Sequence, residues 1–181
     1  MYEIEVKYYD YYRTPMFVKF LKQHYKQYLS HIVEDISYVY PDSTRVTINS
    51  DGTTSHIIKE RLSRKEIGRN RILSVSNEIP KEGDLPDLNK GQKRNRYREI
   101  YLVPGNLQLH ITTINNKVFE IELEREVENI DGDEIENFGV DFDNFTESLD
   151  PHAENFRNFI RLFNGDNETG SQFEMNRNVI A

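Results

Sequence analysis

Cysteine is absent from this chain of 181 residues, and so is any apolar run of the roughly 18 residues that a membrane-spanning helix needs. The lack of cysteine excludes disulfides, thiol nucleophiles and thiolate metal sites, but hard cations can still bind through carboxylates. Residues 1–7 alternate charged and apolar side chains and do not form an apolar leader. We therefore expect an intracellular protein of the nucleus, the cytoplasm, a viral factory or a virion, with no secretion and no membrane contact.

The charge of the chain is unevenly distributed. The net charge is −8, and the 54 residues of the segment 128–181 hold 13 acidic and 3 basic side chains. The first 127 residues hold 20 basic and 18 acidic side chains. Because local fields rather than the total charge decide what a cleft attracts, a chain with this balance can still bind nucleic acid.

Short strands account for most of the hydrophobic pattern. Alternation with a period of two residues predicts strands at 2–8, 36–40, 44–49, 55–62, 70–79, 95–103, 107–115 and 117–127. Hairpin turns are indicated at Asp51-Gly52, at Pro104-Gly105-Asn106 and at Asn115-Asn116. About eight antiparallel strands can close a barrel that side chains line from within. The predicted fold class is α+β and mainly antiparallel β, an eight-stranded barrel with flanking helices.

Two helices are predicted beside the strands. Thr14-Pro15 supplies an N-cap and a first-turn proline, and apolar residues follow at helical spacing as far as Ile32, which predicts a helix of about 15 to 20 residues. The acidic segment 128–148 has only a weak strand or helix signal, whereas Asp150-Pro151 begins a second helix that extends to Phe163. We expect one domain over residues 1–163 and a flexible C-terminal tail or linker over residues 164–181.

Glutamates occupy alternate positions on the first and the last predicted strand. Residues i and i+2 of a strand point to the same side, so Glu3 shares a face with Glu5, and Glu120 shares one with Glu122 and Glu124. A solvated outer face is one interpretation of each row. Two such rows repel each other unless a cation lies between them, and Mg²⁺ or Mn²⁺ takes oxygen ligands from carboxylates. These five glutamates are therefore the predicted metal ligands.

Basic side chains on the middle strands complement the glutamates. Several guanidinium groups that converge inside a barrel are unstable without anions, and phosphate oxygens are their natural partners. An exposed basic edge strand is the alternative interpretation of the stretch from Arg94 to Arg98. The predicted phosphate-binding residues are Arg45, Lys59, Arg61, Arg71, Arg94 and Arg96.

These motifs resemble those of a known enzyme family. Glu-Ile-Glu-Val-Lys at 3–7 and Glu-Ile-Glu-Leu-Glu at 120–124 are similar to the two glutamate-rich metal motifs of the mRNA-capping RNA triphosphatases of fungi, protozoa and large DNA viruses. Those enzymes are triphosphate tunnel metalloenzymes. The stretch around Arg45 is similar to the family strand with a phosphate-contacting arginine, and Arg94-Asn95-Arg96-Tyr97 to its phosphate-gripping basic pair.

The resemblance extends over residues 2–127 in the family order, with one departure. Residues 71–80 are similar to a basic family strand that ends in a functional glutamate, here Glu78. The strand before the last glutamate motif has Arg-x-Asp-x-Thr in the family, whereas this chain has Gln108-Leu109-His110-Ile111-Thr112. The resemblance therefore assigns no role to Gln108 or His110.

The resemblance implies that the chain hydrolyses the γ-phosphate of 5′-triphosphate RNA to leave a diphosphate end, the first step of mRNA capping. Mg²⁺ or Mn²⁺ would be held by Glu3, Glu5 and Glu124, with Glu120 and Glu122 in the same network. Glu78 or Glu122 would orient or deprotonate the water. Arg45, Arg94 and Arg96 would be the catalytic cations that spread the developing charge.

The resemblance also implies partners, and two other functions remain open. The implied partners are 5′-triphosphate RNA and a guanylyltransferase, in the same chain or a separate one, and the short lead before Glu3 resembles the compact viral members. One alternative is a tunnel enzyme that hydrolyses tripolyphosphate or another small triphosphate. The other, of a different class, is a non-catalytic barrel that binds RNA ends.

Overall fold

The computed structural model describes residues 1–8, 14–67 and 71–149. The strands are β1 Tyr2–Tyr8, β2 Leu29–Val39, β3 Thr44–Asn49, β4 Thr54–Glu66, β5 Arg71–Pro80, β6 Gln92–Val103, β7 Leu107–Ile114 and β8 Val118–Val127. The α-helices are α1 Thr14–His24 and α2 Gly132–Leu149, and short 3-10 helices cover Lys26–Tyr28 and Leu88–Lys90. Among the described residues, no helix is both long and apolar enough to cross a membrane.

The eight strands close into an antiparallel barrel in the order β1-β5-β4-β3-β2-β6-β7-β8. This confirms the predicted fold class. β1 lies between β5 and β8, so the first and last glutamate-bearing strands are neighbours, with Glu5 opposite Glu124. Asn115 and Asn116 have φ values of 53° and 56°, the left-handed conformation that the predicted two-residue hairpin requires.

The hydrophobic core lies outside the barrel, between one of its walls and the two helices. Glu3 and Glu5 face the interior, so the alternating Ile4 and Val6 face outward, where both are completely buried. They belong to one cluster with Phe17 and Leu21 of α1 and with Phe138 and Phe142 of α2. Burying each such side chain contributes about 1.5 to 3 kcal/mol, so the packing energy comes from the outside and leaves the interior free for polar groups.

The first helix is shorter than the sequence predicts. α1 ends at His24, and the residues from Leu29 onward form β2, which pairs with β6 along its length. The prediction of a helix as far as Ile32 was therefore wrong, and so was the start of this strand at residue 36. Leu29 and Ile32 are 42% and 48% exposed, so no helical face packs them against the core. Strand pairing with β6 outweighed a local helical spacing.

The segment 128–148, for which the sequence gives only a weak signal, contains α2. The Asp131 carboxylate accepts a hydrogen bond from the backbone N–H of Glu134 at 2.9 Å, which caps the helix. Asp133 and Glu134 lie in the first turn, where their negative charges interact favourably with the positive end of the helix dipole. Phe138, Phe142 and Phe145 recur at helical spacing and are buried. The predicted helix over 151–163 and the tail over 164–181 lie outside the described residues.

Candidate metal and phosphate site

The barrel encloses a polar cavity of about 370 Å³ with charged walls. Every second residue of β1 and β8 contributes a carboxylate or a lysine to one wall, and β3, β4 and β6 contribute cations to the others. The acidic lining residues are Glu3, Glu5, Asp35, Glu78, Glu120, Glu122, Glu124 and Glu126. The basic ones are Lys7, Arg45, Lys59, Arg94, Arg96 and Arg98. Opposite charges thus face each other inside a closed tunnel.

Three of the predicted metal-ligating glutamates form a compact cluster. Glu3, Glu5 and Glu124 are only 7%, 6% and 6% exposed. One carboxylate oxygen from each lies within 4.8 Å of the others. β1 and β8 position them, because Glu3 and Glu5 alternate along β1 and Glu124 lies directly across from Glu5.

Each carboxylate of this cluster has a polar partner on another strand, and Lys59 Nζ also lies 3.9 Å from Glu5 Oε2. Lys59 Nζ on β4 donates a hydrogen bond to Glu3 Oε1 at 2.8 Å, and Ser74 Oγ on β5 donates to Glu5 Oε1 at 3.2 Å. His110 Nε2 on β7 lies 3.3 Å from Glu124 Oε1. The buried Glu5 Oε2 has no hydrogen-bond partner among the described residues.

Burial makes the charges of this cluster unfavourable without a cation. Burial, followed by the charge of Glu122, raises the pKa of Glu5 well above its usual range. Burial, followed by the charge of Glu3, does the same to the pKa of Glu124. A hard divalent cation with oxygen ligands offsets this repulsion and gives Glu5 Oε2 a partner, so the residues present fit Mg²⁺ or Mn²⁺.

The other two predicted ligands lie next to a lysine. Lys7 Nζ is 3.8 Å from a carboxylate oxygen of Glu120 and 3.8 Å from one of Glu122. Burial works to raise the pKa of Glu122, but the charges of Lys7 and Arg98 and a hydrogen bond with Glu5 outweigh it and lower that pKa. Glu120 and Glu122 line the same cavity without belonging to the compact cluster.

Glu78 also lines the cavity, on β5. Burial, followed by the charge of Glu3, raises the pKa of its carboxyl group. Glu78 and Glu122 both line the cavity, so both are in place to contact a water molecule there.

The predicted phosphate-binding residues divide into four that line the cavity and two that do not. Arg45, Lys59, Arg94 and Arg96 line it. Arg61 is exposed and absent from the cavity wall, and the register of β4 against β5 shifts immediately after it. Arg71 is 1% exposed and lies outside the barrel, with its guanidinium 5.5 Å from the centre of the Phe142 ring. We therefore leave Arg61 and Arg71 out of the proposed phosphate site.

Four charged cavity residues were not identified from the sequence as candidates: Lys7, Asp35, Arg98 and Glu126. Asp35 accepts two hydrogen bonds from the Arg96 guanidinium, at 2.7 and 3.0 Å, and it was missed because the strand was predicted to start after it. Arg98 follows Arg94 and Arg96 on the same face of β6, and its buried Nε has no hydrogen-bond partner among the described residues. Lys7 follows Glu3 and Glu5 on β1 by the same alternation.

His110 and Gln108, to which the resemblance assigned no role, face the cavity side by side on β7. His110 Nε2 is 2.9 Å from Gln108 Oε1, and the His110 side chain is buried. Burial, followed by the charge of Arg98, lowers the pKa of His110 to about 4, so its imidazole is neutral near pH 7.

Comparison with known proteins supports the same architecture. No family model and no curated protein sequence matches the chain. The S. pombe RNA triphosphatase Pct1 is similar in structure, with a TM-score of 0.53 at 16% identity over 92% of this chain and 86% of that one. In complex with the Spt5 CTD, Pct1 gives a TM-score of 0.54 at 13% identity over 90% of this chain and 81% of that one.

A viral enzyme domain is also similar in structure to this chain. The RNA triphosphatase domain of the trifunctional mimivirus mRNA capping enzyme gives a TM-score of 0.52 at 19% identity, over 76% of this chain and 85% of that one. The resemblance found in the sequence is thus confirmed at the level of the fold, and this chain folds as a triphosphate tunnel barrel of the kind found in RNA triphosphatases.

Proposed function

We propose that this chain removes the γ-phosphate from 5′-triphosphate RNA and leaves a 5′-diphosphate end, the first step of mRNA capping. The observation that supports this most is the buried cluster of Glu3, Glu5 and Glu124 inside a tunnel whose other walls present arginines and lysines. The RNA substrate is proposed because the similar solved structures, Pct1 and the mimivirus domain, are RNA triphosphatases.

The chain's own residues divide the chemical work. Arg45, Arg94, Arg96 and Arg98 would bind the phosphate oxygens and stabilise the negative charge that grows on them as the β–γ bridge breaks. Asp35 holds the Arg96 guanidinium in a fixed orientation through two hydrogen bonds. A planar guanidinium fixed in this way is suited to bidentate contacts with phosphate.

Glu3, Glu5 and Glu124 would hold Mg²⁺ or Mn²⁺, which when bound supplies Lewis-acid polarisation of a phosphate oxygen. Water is the proposed nucleophile, its oxygen bonds to the γ-phosphorus, and the bridging oxygen leaves with the β-phosphate. Glu78 or Glu122 would take the proton from the water, since both line the cavity. Glu78→Gln and Glu122→Gln are compared for kcat, and the larger loss is expected for the residue that accepts the proton.

A comparison of substrates tests the proposed function. The full chain is incubated with triphosphate-ended RNA or with tripolyphosphate at limiting enzyme, and the released phosphate and the RNA end are analysed. We expect faster phosphate release from RNA, with a diphosphate end as the product. Faster release from tripolyphosphate would favour a small-molecule triphosphatase, and RNA binding without release would favour a non-catalytic barrel.

The product also suggests a partner. The mimivirus neighbour is described as part of a trifunctional capping enzyme. We propose that a guanylyltransferase, in the same polypeptide or a separate one, uses the diphosphate end that this domain would produce.

A further inference from the structure

The side chain of His110 lies where the family motif predicted an aspartate, and it contacts the metal cluster. Its Nε2 is 3.3 Å from Glu124 Oε1 and 2.9 Å from Gln108 Oε1. Both neighbours are acceptors, so the tautomer that satisfies both contacts carries the proton on Nε2 and shares it between them. In this tautomer the ring N–H of His110 lies next to a carboxylate oxygen of the cluster.

The neighbouring residues set the position of this imidazole firmly. Leu109 and Ile111 on either side of it are buried on the outer face of β7 at 0% and 1% exposure, so His110 must point inward. Across the β7–β8 ladder it lies opposite Glu122, and Gln108 lies opposite Glu124. The imidazole therefore reaches diagonally to Glu124, while Gln108 holds the same nitrogen from its own strand.

Each carboxylate of the cluster has a polar partner, and Lys59 Nζ lies near both Glu3 and Glu5. Glu3 has Lys59, and Glu5 has both Ser74 and Lys59. Among the described residues, His110 is the polar contact of Glu124. A ligating carboxylate whose outer partner is removed binds metal more weakly, because the free carboxylate can rotate away from the site.

We propose that His110, held by Gln108, is a positioning residue that fixes Glu124 for metal binding. His110 is not itself placed in the compact cluster, which comprises Glu3, Glu5 and Glu124. Its role depends on the metal site of the proposed function, but it does not depend on RNA as the substrate.

The test measures metal binding alone, on the full chain without nucleic acid. Titration calorimetry with MnCl₂ compares the wild type with His110→Leu, which fills a similar space but donates no hydrogen bond, and with His110→Gln, which retains an N–H donor. We expect His110→Leu to weaken Mn²⁺ binding by roughly 10- to 100-fold and His110→Gln to restore most of the loss. His31→Leu is the matched control, because His31 is exposed and its ring bonds to Ser30.

A second comparison separates positioning from a loss of packing. In the background of Glu124→Gln, His110→Leu should cause little additional loss of Mn²⁺ affinity, because His110 acts through Glu124. Circular dichroism melts establish that each variant is folded. Wild-type Mn²⁺ affinity in folded His110→Leu, or an equal loss in both backgrounds, would overturn the positioning role.

The outcomes also distinguish this role from the proposed reaction. If the wild type binds no Mn²⁺, the metal site and the role of His110 both fail. If Mn²⁺ binds with the expected dependence on His110 but no phosphate is released from triphosphate-ended RNA, the proposed reaction alone fails.

Discussion

Glu5 and Glu124 face each other across two neighbouring strands, and burial raises the pKa of both carboxyl groups. At the scale of residues, this implies that the cluster lowers the stability of the protein when no cation is bound, which fits the proposed metal site. We predict that Glu5→Gln lowers metal-dependent turnover by at least roughly 100-fold.

The same substitution should not destabilise the protein in the absence of metal. The pKa of Glu5 is higher in the folded state than in the unfolded state, so its ionised form opposes folding above that pKa, and a neutral amide avoids this opposition. Thermal melts in EDTA near pH 8 measure this. A folded Glu5→Gln with wild-type turnover, or one with a clearly lower melting temperature in EDTA, would contradict the interpretation.

The arginine row on β6 gives a second prediction for single residues. The Arg96 guanidinium makes two bonds with Asp35 and faces the cavity. We predict that Arg96→Lys lowers turnover and that Arg96→Ala lowers it further, because an ammonium group cannot make the bidentate contacts of a guanidinium. Arg61→Ala, on an exposed residue outside the cavity wall, is the matched control and should change turnover little. Equal losses of turnover in Arg96→Ala and Arg61→Ala would mean that Arg96 does not contact the phosphates.

The sequence predicts correctly which face of a strand a residue occupies where the alternation is regular. The glutamates of β1 and β8 follow a strict period of two, and the structure places all five predicted ones in the cavity wall. Arg71 shares its parity along β5 with the buried apolar Leu73 and Val75, a signal that already favours the outer face. The position of Arg61 could not be predicted, because the register shift beside it depends on pairing between distant strands.

At the scale of elements, α2 covers the wall of the barrel that carries the glutamates. Its buried Phe142 contacts the core and the guanidinium of Arg71. We predict that Phe142→Ala lowers the free energy of unfolding by about 3 to 5 kcal/mol, as for other buried phenylalanines. Urea denaturation measures this, with exposed Val140→Ala on the same helix as the control. A loss no larger than that of the control would mean that α2 does not hold this wall.

The sequence missed helix α2 and the N-terminal part of strand β2 for different reasons. α2 has an aspartate cap at Asp131 and phenylalanines at helical spacing, but its acidic composition with glycine and asparagine obscured the signal. The C-terminal part of the predicted first helix is instead part of β2, which pairs with β6. This pairing joins residues about 60 positions apart in the chain, and it outweighs the local helical spacing. Local spacing cannot contain that information.

At the scale of the whole molecule, the barrel places charged groups of both signs inside, including the buried glutamate cluster, and keeps its apolar core outside. Protons must leave Glu5 and Glu124 before a cation can bind, and burial raises the pKa of both groups, so metal competes with protons more effectively as the pH rises. We predict that Mg²⁺ raises the melting temperature more at about pH 8.5 than at about pH 6.5.

At each pH the melting temperature is measured in MgCl₂ and in EDTA, and the difference between the two is compared. Other titrating groups affect both melts alike and therefore cancel in this difference. Glu124→Gln is the control and should show a small shift at both pH values. A shift in the wild type that is independent of pH, or larger at the lower pH, would contradict metal binding at this cluster.

The most direct measurement for the whole molecule is the release of the radiolabelled γ-phosphate from triphosphate-ended RNA by the full chain. The reaction is followed with Mg²⁺ or Mn²⁺, with EDTA, and with Glu124→Gln in place of the wild type. We predict that the wild type releases inorganic phosphate and leaves diphosphate-ended RNA with either or both metals, and that EDTA or Glu124→Gln abolishes the release. Release that persists in EDTA, or a wild type that releases no phosphate with either metal, would contradict the assignment of the tunnel as a metal-dependent RNA triphosphatase site.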